Sequence, residues 1–180
     1  MENELLTDTI TVDSNITETI FTTLFRDINY VYSLYRELHP EDKTVTVGNI
    51  GLEALEAGSH NEAYNVLRFF ADSDGTTRMI VVIEAKNMWS DDLTLRVFLY
   101  ISETYRRYIK MTKQSEYLEK KVSLPKPEIY IIYTGSKDIS DEASLSKTFF
   151  NGESPLDLRI KVLNRFGKDT LLNNSAKEQD

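Results

Sequence analysis

The chain has no cysteine. Disulfides, thiolate metal centres and thiol nucleophiles are thereby excluded, and a reducing, cytoplasmic setting is expected. Long apolar runs are missing too: residues 79–83, MIVVI, fall far short of the roughly 20 that cross a bilayer. We therefore expect no membrane partner. The opening MENELLTDTITVD is acidic where a secretory signal would be basic. Positive charge is in deficit as well, with 21 Lys and Arg against 29 Asp and Glu for a net charge of −8. That balance argues against a general nucleic-acid coat, permits a local basic groove, and equally suits a surface that meets a basic protein.

What is present suits one core, since 180 residues are too few for two comfortable ones. We expect a domain over 17–167, with flexible segments at 1–16 and 168–180. Ile20, Phe21, Leu24, Phe25, Ile28, Val31 and Tyr35 recur at helical spacing, with Thr17 or Thr19 placed to cap and Pro40 beyond the end. Residues 44–56 mix a β-branched triplet with a short helical pattern. Residues 64–71 and 78–85 are β-rich and flank DSDGTT, whose Asp-Gly pair suits a hairpin turn; Asp72 and Asp74 serve that turn. A second helix is expected from Asp91 or Asp92 to about Lys113, ending in Arg106, Arg107, Lys110 and Lys113. Pro125 and Pro127 forbid helix and introduce EIYIIYTG, apolar enough for the middle of a sheet. Residues 156–163 alternate as an edge strand, stopped by Gly167.

The hairpin carries the chemistry. Equal steps from its turn bring Glu84 opposite Asn65, and Glu84 and Lys86, two apart, project together. Magnesium takes oxygen ligands, so a carboxylate pair at this end would seat it, and a lysine beside it could orient or deprotonate water. The second acid is the difficulty. Asn65 offers a neutral oxygen, Val66 none, while Glu62 and His60 lie slightly upstream, His60 reading more simply as a loop histidine. An isolated E-x-K is also common by chance, as two solvated charges at a strand end. Arg96 can hold a phosphate or pair with Asp92 one turn earlier. The basic end of the second helix, interleaved with Tyr105 and Tyr108, can track a nucleic-acid backbone or merely complement the helix dipole. Trp89 reads as half-buried packing or as a base-stacking ring.

TLFRDINYVYSLYREL, NVLRFFADSDG, VVIEAKN, LRVFLYISETYRRYI and LPKPEIYIIYTG, in this order and spacing, resemble the Rpn family of recombination-promoting nucleases within the PD-(D/E)XK superfamily. The resemblance implies an α/β fold with a PD-(D/E)XK nuclease-like core: a central mixed sheet, made of an antiparallel hairpin plus a central strand, flanked by helices. It further implies a magnesium site for DNA cleavage. Glu84 matches the acidic residue of the (D/E)XK motif and Lys86 its lysine, giving Glu84 and Lys86 as catalytic residues and Glu84, Asn65 and Glu62 as the metal set. Arg96 falls where the family carries a basic or polar residue beside the site, and Arg96, Arg106, Arg107 and Lys110 become the expected DNA contacts. The family's aspartate on the preceding strand falls at Asn65 or Val66, and typical members continue beyond the position of Asp180. In size and fold the chain also resembles a nuclease-derived phage anti-CRISPR protein that acts on Cas9 and binds DNA. The expectation is thus a site-damaged nuclease scaffold that binds DNA, Cas9 or another basic protein effector, as a homodimer; the competing expectation is an active magnesium endonuclease.

Overall fold

The computed structural model describes residues 21, 23–52, 56–57, 64–85, 89–112 and 122–164. Asp27 starts the first helix, α1 (Ile28–Leu38): its backbone is extended and its carboxylate accepts the Asn29 N–H at 2.9 Å. The expected helix beginning near residue 20 is therefore interrupted. Residues 21, 23 and 24 are helical, 25 and 26 turn, and the chain restarts at Asp27. Its side chain offers the first amides a partner that a continuous helix would not use. Phe21 and Phe25 remain buried edge to face, 4.9 Å between centroids, which is why the apolar spacing runs on through the break. Thr17 and Thr19 lie outside the described residues.

The ambiguous segment resolves into a single 3-10 turn, Val47–Asn49, then β1 (Ile50–Leu52) and β2 (Glu56–Ala57). The Asn49 carboxamide oxygen accepts from both the amide and the hydroxyl of Thr46, at 2.9 and 2.7 Å. Next come the two long strands, β3 (Tyr64–Ser73) and β4 (Thr76–Ala85). Only Asp74 and Gly75 join them, both left-handed at φ 50° and 74°, as a tight two-residue hairpin requires. The Thr77 hydroxyl donates to Asp72 across the turn at 2.6 Å. After β4 come α2 (Leu93–Met111), β5 (Lys126–Tyr133), β6 (Glu142–Ser144), α3 (Leu145–Phe150) and β7 (Arg159–Asn164).

The strands run β1-β3-β4-β5-β7-β6, with β2 also on β3. β5 is parallel to both β4 and β7, and the other pairs are antiparallel. The protein is an α/β fold with a mixed sheet, six strands in that order and β2 beside them, and three described helices. β5 is central, as its apolar run implies, and Pro127 is tolerated because β7 pairs with β5 only from Tyr130 onward. β7 is not the expected edge: β6, too short at three residues to leave a sequence period, pairs along its outer side.

Strand alternation divides the core in two. Met79, Val81 and Ile83 of β4 face α2 with Ile129 and Ile131 of β5, against Leu93, Val97 and Ile101. Ile80 and Val82 join Leu67, Phe69 and Tyr130 on the other face, under Val31 and Tyr35 of α1. Arg68, nearly buried on the α2 face, donates to the Tyr100 hydroxyl at 2.8 Å and the Thr104 hydroxyl at 3.0 Å. No described helix is long and apolar enough to cross a membrane.

The turn generates the first prediction. Gly75→Ala places a Cβ on a φ of 74°, where nothing crowds it but its own backbone, so stability to urea should fall by about 1 kcal/mol. An unchanged unfolding midpoint would show that the left-handed turn does not limit the hairpin.

Candidate functional site

The ladder between β3 and β4 pairs Asn65 directly with Glu84, and Val66 with Ile83. The register thus selects the asparagine, not the valine, as the residue opposite the acid of the E-x-K stretch. Position 84 continues the row of Ile80 and Val82, the α1 face. Across the sheet its neighbours in that row are Asn65, then Ala57 on β2, and on the other side Ile132 of β5 followed by Leu163 of β7. The row holds a single carboxylate. Glu62 and Lys86 lie outside the described residues, as does His60, and Asn65 and Glu84 are described by their backbone. Among the described residues no group of three or more His, Cys, Asp or Glu is placed to hold a metal ion. Along this row Glu84 thus stands beside one amide and three apolar residues.

Arg96 does not flank the row of Glu84: α2 packs its Leu93, Val97 and Ile101 on the opposite face of the sheet. The physical reason is the two-residue period of β4, which alternates its side chains between the two helices. Arg96 instead pairs with Asp92 four residues before it. That carboxylate also accepts from Ser90, and these two bonds hold it below its usual range; it makes no side-chain cap of the helix it precedes.

Arg106 and Arg107 both grip Glu103, at 2.8 and 3.1 Å, and hold its carboxyl low. Arg96, Arg106, Arg107 and Lys110 are all exposed on α2. The tyrosines read with them are structural: Tyr105 donates to the Pro125 carbonyl at 2.7 Å, its hydroxyl pushed by burial to about 12, and Tyr108 packs 5.9 Å from Phe70. Trp89 is half-buried, edge-on to Tyr133 at 5.9 Å.

Sequence reasoning missed a second constellation at the other end of the α1 face. Arg78 starts the row that ends at Glu84, six residues and about 20 Å away. Its guanidinium lies 3.2 Å from Asp42 and 3.4 Å from Glu128. Glu128 in turn meets His39 Nε2 at 2.9 Å and accepts from the Tyr130 hydroxyl at 3.2 Å, while Tyr35 donates to Asp42 at 2.8 Å. This His39–Glu128 contact is the largest influence on the His39 imidazole and raises its pKa. His39 and Glu128 are only 8 % and 15 % exposed, and Arg78 24 %. These groups pair with one another, joining the end of α1 to β4 and β5. The available signal was Arg78 and Glu128 themselves, opposite charges set in otherwise apolar strands.

Comparison with protein-family models, curated proteins and solved structures found no match to this chain.

The clasp gives a signed pH dependence. Glu128, joined by Glu41 at 3.4 Å, raises the His39 pKa above 6.5 against the opposing effect of burial. Its contribution is fully present below 6.5 and disappears as pH rises through the folded value. Burial raises the Glu128 carboxyl, but His39, Tyr130 and Arg78 outweigh it and the net shift is downward, so that contribution is lost as pH falls through the lowered value. His39→Gln should lower stability at pH 6 by about 1–3 kcal/mol and flatten the decline on the alkaline side. Urea unfolding across pH checks this; an identical profile in the variant would remove His39 from the clasp.

Proposed function

We propose that this chain is a nuclease-derived scaffold of the PD-(D/E)XK type that binds DNA, a protein effector such as Cas9, or both, without hydrolysis of its own. The observation that carries the reading is Asn65 standing directly opposite Glu84. An E-x-K stretch at the end of a strand, with its cross-strand position turned to an amide, is what a metal site leaves when one carboxylate is replaced. The mixed sheet supports the same reading, since an antiparallel hairpin lies against a parallel central strand between α1 and α2. Without a second carboxylate, no step through magnesium follows from these residues.

For DNA, the contacts are Arg96, Arg106, Arg107 and Lys110 on the exposed side of α2. Three of the four are already held by carboxylates within a turn, so a phosphate must displace Asp92 or Glu103 before it is gripped. Exposed pairs of this kind are worth little, and a polyanion can displace them. The helix that carries them covers the opposite sheet face from the row of Glu84, which supports gripping separate from any remnant of a cutting site.

Gel shifts on duplex DNA should show binding that falls about 100-fold between 50 and 200 mM salt, the scale for four phosphate contacts. Arg106→Ala with Arg107→Ala should reduce that dependence, and a salt-insensitive shift would sink the assignment. Supercoiled plasmid with manganese should stay intact with the wild-type chain, while Asn65→Asp should gain manganese binding by electron paramagnetic resonance. Nicking by the wild-type chain that Glu84→Ala abolishes would replace this reading with that of an active nuclease. A Cas9 cleavage assay with and without the protein tests the effector arm.

A further inference from the structure

The outer side of α2 carries features that a DNA grip does not use. Leu99 is 58 % exposed and Leu95 39 %, on a helix whose inner side, Leu93, Val97 and Ile101, is already fully engaged. Asp92, Leu95, Leu99 and Arg106 recur at spacings of three, four and seven, so they form one ridge. Along that ridge the order is acid, leucines, base. Asp91 and Asp92 stand at one end and Arg106 and Arg107 at the other, about 21 Å apart along the axis for the outermost ridge pair.

We propose that this ridge is a self-association surface, on which α2 of a second copy lies antiparallel about a two-fold axis through Leu99. Such an axis matches residues equally spaced either side of it. Arg106 then meets the second copy's Asp92, and the pair occurs twice. Leu99 meets its own counterpart at the centre. A parallel arrangement would oppose acid to acid and base to base, so the charges select one orientation. The intrachain pairs that must give way, Arg106 with Glu103 and Asp92 with Arg96, are exposed and cheap to exchange. A nucleic acid gripped by Arg96, Arg106, Arg107 and Lys110 would leave both leucines in water. An acidic end, an apolar centre and a basic end in one row instead complement a reversed copy of themselves.

This surface stands independently of the DNA reading, although both draw on Arg106. Sedimentation equilibrium of the full chain at micromolar concentrations should show a dimer, and Leu99→Gln, which adds no charge, should give a monomer with unchanged circular dichroism and an undiminished DNA shift. A charge exchange is the sharper test. Arg106→Asp with Arg107→Asp makes both ends acidic, and Asp91→Lys with Asp92→Lys makes both basic. Each double variant alone should dimerise about tenfold or more weakly, and a one-to-one mixture should recover the dimer. A wild-type monomer at all concentrations, double variants that dimerise alone like the wild type, or a mixture that fails to pair would each overturn the proposal.

Discussion

A turn of two residues sets the register on which the rest of this molecule depends. Asp74 and Gly75 both take left-handed backbone, which closes the hairpin without a spare residue and aligns a ten-residue ladder from Ser73–Thr76 to Tyr64–Ala85. Because strand side chains alternate, a slip of one position would send Ile80, Val82 and Arg78 to the α2 face and Met79, Val81 and Ile83 to the α1 face. Arg68 would then leave Tyr100 and Thr104, and Arg78 would leave Asp42 and Glu128. The two half-cores and both polar constellations are consequences of one register.

The α1 face is polar at both ends and apolar between. At the turn end, Arg78, His39, Asp42 and Glu128 pair with one another in a partly buried cluster, with Tyr35 and Tyr130 donating into it and Tyr35 pushed up to about 12, burial being the largest cause. Such a network contributes less through net attraction than through the large penalty for leaving any member without its partners, so it locates the end of α1 on the sheet. At the other end, position 84 has an amide and three apolar residues across its row. The contrast is between a cluster of mutually paired charges and a row that holds one carboxylate.

α2 divides its duties around its circumference. Its inner side is committed to the sheet, and Tyr105 and Tyr108, which alternate with arginines in sequence, are fastened to Pro125 and Phe70. Arg96, Arg106 and Arg107, which remain outside, each pair with a carboxylate about one turn away. A helix in a chain of net charge −8 can hold such a basic stretch because its acids stand beside it. Those same short-range pairs are weak enough to exchange for a stronger partner.

By itself, the amino-acid order determined everything that depends on local period or local turn chemistry: the hairpin about Asp74 and Gly75, the long second helix, the apolar central strand, and the meeting of Glu84 with Asn65 rather than with an acid. These are readable because the spacing of side chains and the geometry of an Asp-Gly turn act over a few residues. Only the tertiary structure decided that β6 covers β7, that Asp27 opens α1, and that α2 lies across the sheet from the row of Ile80 and Val82. It alone brought His39, Asp42, Arg78 and Glu128 into one cluster. Those outcomes rest on which face each strand presents and on pairings between distant segments, whose partners carry no mark of one another in the sequence.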